Sequence, residues 1–217
     1  MKLIEVIIYF GYIVLALNTI IFLKNYRNSS VAFKLFSFYL LIILLIQLLA
    51  TYIKNSPIKN NLFLSHYYFI GQFILLSLFF KHILKKKTQK KIIKPVLVIV
   101  LVVLGIYYSI YPSNYYKFNI FEIITTSVPL IIYCFFFFMQ KIEDSDKKFI
   151  YITSGFFLYI LCSTLLFTTG NINLYASVKK IIWHINAMLY LIYQVLVFIE
   201  WYKHFRKSAL VNTTEAQ

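Results

Sequence analysis

Apolar runs of about 20 residues, each the length a helix needs to cross roughly 30 Å of hydrocarbon, recur along this chain of 217 residues. Seven segments qualify as predicted spans: Leu3–Leu23, Val31–Ile53, Leu62–Phe80, Pro95–Tyr111, Phe118–Met139, Phe149–Thr169 and Ile181–Tyr202. The stretches between them, such as KNYRNSS, KNSPIKNN, PSNYY and QKIEDSDKK, are polar and turn-like, and too short to form a separate domain. With 61% hydrophobic and 13% charged residues, the chain lacks the polar surface that a water-soluble globule needs. The expected fold class is all-α. It is a polytopic membrane protein with a seven-helix bundle over residues 1–207 and a short polar tail over 208–217. Glu5 interrupts the start of the first run and no small-residue cleavage site follows, so that run reads as a retained helix rather than a signal peptide. Pro95 is expected in the first turn of its helix, where its missing N–H costs nothing.

A formal charge of +15 raises the possibility of nucleic acid, but the lysines gather at predicted helix ends rather than on one soluble face. Topology accounts for them. Only Lys2, Lys54, Lys59, Lys117, Lys179 and Lys180 fall on one side of the seven-span scheme, leaving 16 of the 22 Lys and Arg on the other. By the positive-inside rule, this places the N-terminus outside and the C-terminus in the cytoplasm. The run KHILKKKTQKKIIK, with Lys85, Lys86, Lys87, Lys90 and Lys91, then reads as an anchor to anionic lipid or a docking site for an acidic protein partner. Tyr107, Tyr108, Tyr111, Tyr115 and Tyr116 read as an outer aromatic belt.

Ionisable groups inside a span are costly and mark candidate sites. Glu5, His66, Glu122, Trp183, His184 and Asn186 all fall in the outer third of their predicted helices, which suggests an outward-opening polar pocket that binds a ligand. Three polar stripes should face the interior: Glu5, Tyr9, Tyr12, Ala16 and Thr19 on the first helix; Glu122, Thr126, Pro129 and Tyr133 on the fifth; Asn186, Tyr190 and Gln194 on the seventh. Gln47, Gln72 and Gln194 are expected to bridge helices. Glu200 is expected to pair with cytoplasmic lysines. Cys134 and Cys162 read as small buried hydrophobes. No paired-histidine metal motif and no GxSxG occur, so neither an enzyme nor a metal or cofactor site is expected.

A regular spacing links the two halves. His66 follows Glu5 by 61 residues and His184 follows Glu122 by 62, while Lys81-His82 and Lys203-His204 end the third and seventh helices. Small transporters are built as such repeats of three helices, a linker helix and three helices. Similar residues also settle at similar ends of helices that run in the same direction, with no duplication needed.

The Tyr- and Lys-rich short loops, KHILKKKTQKK, EDSDKKFIYITSGFFLYI and the last helix IIWHINAMLYLIYQVLVFIEWYKH together resemble a family of small seven-helix membrane proteins common in Bacteroidota. The resemblance spans most of the chain. Members look like stand-alone versions of the sensory modules that precede signalling kinases, which implies sensing through a separate partner. The expected function is therefore an inner-membrane sensor or accessory protein. The alternative is a small-solute transporter with the repeat described above.

Overall fold

The computed structural model describes residues 3–27, 29–56, 61–142, 144–170 and 176–206. The tail over 208–217 lies outside them. The described residues are helical throughout, with no strand: α1 Leu3–Lys24, α2 Val31–Lys54, α3 Leu64–Ile83, α4 Lys87–Ile110, α5 Ile120–Ile142, α6 Ile150–Gly170 and α7 Ala176–Glu200. A 3-10 turn covers Pro112–Tyr116, and a π-helical turn, Trp201–Phe205, continues α7. Five helices, α1, α2, α4, α5 and α7, are long and apolar enough to cross a membrane, as a multi-pass membrane protein requires.

The chain divides into two compact units, one of residues 1–29 and 138–217, the other of 30–137. The first holds α1, α6, α7 and the end of α5, and the second holds α2, α3, α4 and most of α5. This division cuts across the halves of a three-plus-one-plus-three repeat.

In the second unit, Ser30 caps α2 by accepting the Phe33 N–H at 3.3 Å. Phe33, Phe36, Leu40 and Ile43 then recur at helical spacing and are buried, as are Phe73, Leu76, Phe79 and Phe80 of α3. Phe36 and Phe79 pack ring to ring at 5.5 Å. Lipid is as apolar as these rings, so close packing rather than escape from water holds such helices together. Gln72 bridges α3 to α2 by accepting from the Tyr39 hydroxyl at 3.3 Å.

The α3–α4 connection departs from the sequence expectation. Only residues 84–86 are non-helical, and α4 begins at Lys87, eight residues before Pro95. Lys and Gln are good helix formers, and Ile93 of KTQKKIIK is fully buried, so the polar run is helical although it is not apolar. Pro95 therefore sits inside the helix, where it removes the hydrogen bond to the Lys91 carbonyl.

In the first unit, α1 and α7 are joined by Asn18, whose Nδ2 donates to the Gln194 carbonyl at 2.8 Å and to Gln194 Oε1 at 3.0 Å. The inward face of α1 is Gly11, Leu15, Asn18, Thr19 and Phe22. The Glu5–Tyr9 end of the expected stripe is exposed instead, because seating Asn18 on Gln194 rotates that end outward. Glu200 also departs from expectation. It is fully buried and accepts the N–H groups of Phe149 at 2.6 Å and Tyr151 at 2.9 Å. A carboxylate there satisfies orphan donors and meets the positive end of the α6 dipole, which a lysine partner in water would not reward as well.

Candidate functional site

The second unit gathers a polar cluster where α3, α4, the Pro112–Tyr116 turn and α5 come together. Its centre is His66 of α3 against Glu122 of α5, with Nδ1 and Oε2 2.5 Å apart and both residues almost wholly buried. The other ring nitrogen, Nε2, lies 2.8 Å from the Tyr115 carbonyl, an acceptor only, so Nε2 carries a hydrogen and donates it. Tyr115 also stacks on the imidazole at 5.1 Å and 25°.

Tyr108, from the last turns of α4, reaches the same centre. Its hydroxyl lies 2.8 Å from His66 Nδ1 and 2.9 Å from Glu122 Oε2. Asn119 orients that hydroxyl. The residue precedes α5, and its Oδ1 accepts the Phe121 N–H at 3.0 Å, which is an N-cap. With Oδ1 so engaged, its Nδ2 donates to the Tyr108 oxygen at 3.0 Å. Above the centre, the Tyr115 hydroxyl donates to that of Tyr67 at 2.7 Å. This bond, with burial behind it, pushes the Tyr115 phenol up to about 12, so the group is a neutral donor. Glu122 Oε1 is buried without a hydrogen-bond partner. Chemically, the cluster can hold and relocate a hydrogen among an imidazole, a carboxylate and a phenol.

Of the residues singled out from sequence, His66 and Glu122 are thus brought into contact. Glu5, Trp183, His184 and Asn186 belong to the other unit. There Glu5 is exposed, Trp183 is 57% exposed, and His184 Nδ1 lies 2.5 Å from the Lys180 carbonyl of its own helix. Asn186 Oδ1 is buried without a partner. Tyr108, Tyr115 and Asn119 were not among the sequence candidates, the two tyrosines having been assigned to the aromatic belt. Asn119 does carry a signal, since Asn three residues before Glu at the start of an apolar run is a helix-start pattern.

No protein-family model, curated protein or solved structure matches the chain.

The basic residues lie elsewhere in the second unit. Lys85 and Lys86 occupy the α3–α4 link, and Lys87, Lys90 and Lys91 the first turns of α4. Cations at a helix N-terminus oppose the macrodipole, each by roughly 0.3–1 kcal/mol at low ionic strength. Helix stability does not explain them.

Proposed function

We propose that the chain is a bacterial inner-membrane sensor or accessory protein, with seven spans, its N-terminus outside and its C-terminus cytoplasmic. The His66–Glu122–Tyr108 cluster is its input site at the outer end, and the basic stretch Lys85–Lys91 is the cytoplasmic face that meets anionic lipid and a signalling partner. The observation that carries this reading is the buried His66–Glu122 pair, bonded to the turn between α4 and α5. An ion pair inside a span is expensive and is retained where it has work to do.

The transporter alternative needs a polar path that continues through the protein. Deeper in the second unit, Gln72 is engaged by Tyr39, and the buried side chains beyond it are mostly aromatic, with Phe33, Phe36, Phe79, Phe80 and Phe137 alongside the hydroxyls of Ser37, Ser77 and Tyr133. A mostly apolar floor below a polar end favours sensing. The test compares gene expression in a deletion strain complemented with the wild type or with Glu122→Gln. The variant should reach the membrane at normal level yet hold the response at one setting. Full complementation by Glu122→Gln, or uptake of a solute by vesicles carrying the purified protein, would overturn the reading.

A further inference from the structure

We infer that the His66–Glu122 pair is a proton-binding site, holding one exchangeable proton in this structure, and that the Pro112–Tyr116 turn reads its occupancy. This names the ligand of the input site and rests on the sensor reading for the claim that occupancy matters to a partner.

The hydrogens can be placed one by one. Nε2 carries one, because it faces the Tyr115 carbonyl. Nδ1 and Oε2, 2.5 Å apart, would turn lone pairs on each other if nothing lay between them, so a second hydrogen occupies that gap. Written as imidazolium and carboxylate or as imidazole and carboxylic acid, the pair is then neutral overall. Neutrality suits its burial. The Tyr108 hydrogen is the third. Because Asn119 donates to the phenol oxygen, that hydrogen points at Oε2 or at Nδ1, and it can satisfy only one of them.

Removing the shared proton leaves one buried negative charge and two facing acceptors with a single donor for both. The pair must then part. His66 cannot withdraw alone, since its Nε2 bond and ring stacking hold Tyr115, whose hydroxyl is tied to Tyr67. The turn follows the ring. The groups facing the pair are Tyr108 from α4, Tyr115 from the turn, Tyr67 beside His66 on α3 and Asn119 before α5; among the described residues, no lysine or arginine is bonded to it. No fixed cation therefore replaces the proton when it leaves. A second proton would fall on Oε1, which faces no acceptor, so the site takes one.

The test uses the full chain in lipid nanodiscs, with Cys134→Ala and Cys162→Ala, and an environment-sensitive fluorophore on Ser113→Cys in the turn. The label should titrate with a slope of about one proton between about pH 4 and 9. Glu122→Gln removes the carboxylate that shares the proton and leaves His66 as the one base of the pair, so the titration should move away from the wild-type midpoint or be lost. Tyr108→Phe should raise its midpoint by about one pH unit, because the phenol stabilises the anionic, unloaded state more than the neutral one. If Glu122→Gln does not assemble, Glu122→Asp, one methylene shorter, should keep the amplitude and move the midpoint. A flat wild-type response, an unchanged curve in Glu122→Gln or an unmoved midpoint in Glu122→Asp would overturn the inference. No partner is present in this assay. A flat response would leave the sensor open to another ligand, whereas a normal titration in a protein whose Glu122→Gln form still complements fully would retire the sensor and keep the proton site.

Discussion

Asn119 does two jobs with one amide: its oxygen caps α5 and its nitrogen fixes the Tyr108 hydroxyl. These can be separated by substitution. Asn119→Ala should lower stability in detergent by about 1 kcal/mol, the usual cost of a lost cap. Asn119→Ser keeps an oxygen for the Phe121 N–H but not the donor to Tyr108, so thermal unfolding should return most of the way to wild type while the pH response of the turn stays altered. Equal stability of the two variants would mean that the cap contributes nothing. At this scale the sequence was legible where a residue type is costly in a membrane: His66 and Glu122 stand out as ionisable groups in apolar runs. Tyr108 and Tyr115 did not stand out, because tyrosine at a helix end is common and only the fold decides which rings turn inward. Glu200 was misread for a related reason. Its partners are the backbone N–H groups of Phe149 and Tyr151, and backbone donors leave no trace in composition.

Helix existence was legible from apolar length, but helix boundaries were legible only where polarity and helicity change together. They do so at Ser30, where a capping side chain meets an apolar run. They do not at Lys87, where a lysine-rich stretch is helical without being apolar, so hydropathy placed the start of α4 too late. The Thr125 and Thr126 hydroxyls donate to the Phe121 and Glu122 carbonyls, one turn before the carbonyl that Pro129 leaves free. Packing between elements was the least legible, and Gly155 illustrates why. A Cβ on Gly155 would lie 3.1 Å from Leu196 Cβ and 3.1 Å from Tyr193 Cδ2, so α6 and α7 approach through the missing side chain. Tyr193 cannot give way easily, being fully buried and stacked on Tyr159 at 5.9 Å and 7°. Gly155→Ala should therefore destabilise by about 1–3 kcal/mol. Gly105 has nothing within 4 Å of its Cβ position, and Gly105→Ala in α4 should be neutral or stabilising by up to about 1 kcal/mol. Thermal unfolding of both variants in one detergent checks the contrast, and a tolerated Gly155→Ala would deny the close approach.

The number of crossings is a property of the whole molecule, and it decides on which side the C-terminus lies. Helices α3 and α6 fall outside the five: α3 carries Ser65, His66, Gln72 and Ser77, whereas α6 is apolar over Ile150–Leu166, the part whose side chains the structure describes. Yet α3 has 20 residues, a length of about 30 Å, and its buried Phe73, Phe79 and Phe80 lie within a unit whose other helices do qualify. Polar side chains satisfied within a protein need not meet lipid, so a low hydropathy does not prevent α3 from crossing. Charge separates the two topologies. With seven spans, 16 of the 22 Lys and Arg share the side of the C-terminus, which makes it cytoplasmic. With α3 and α6 not crossing, only Lys24, Arg27, Lys34, Lys117, Lys203, Arg206 and Lys207 remain on that side, the other 15 of the 22 lie opposite, and the same rule turns the C-terminus outward. A reporter after Lys207 should therefore read as cytoplasmic and one at Asn61 as external if seven helices cross, and the reverse if five do. Ser113 reads as external in both schemes and serves as the control, because it is the position that must be outside for protons there to reach His66. A cytoplasmic reading at Ser113 would leave the cluster facing the wrong compartment for an outward sensor, whatever the number of spans.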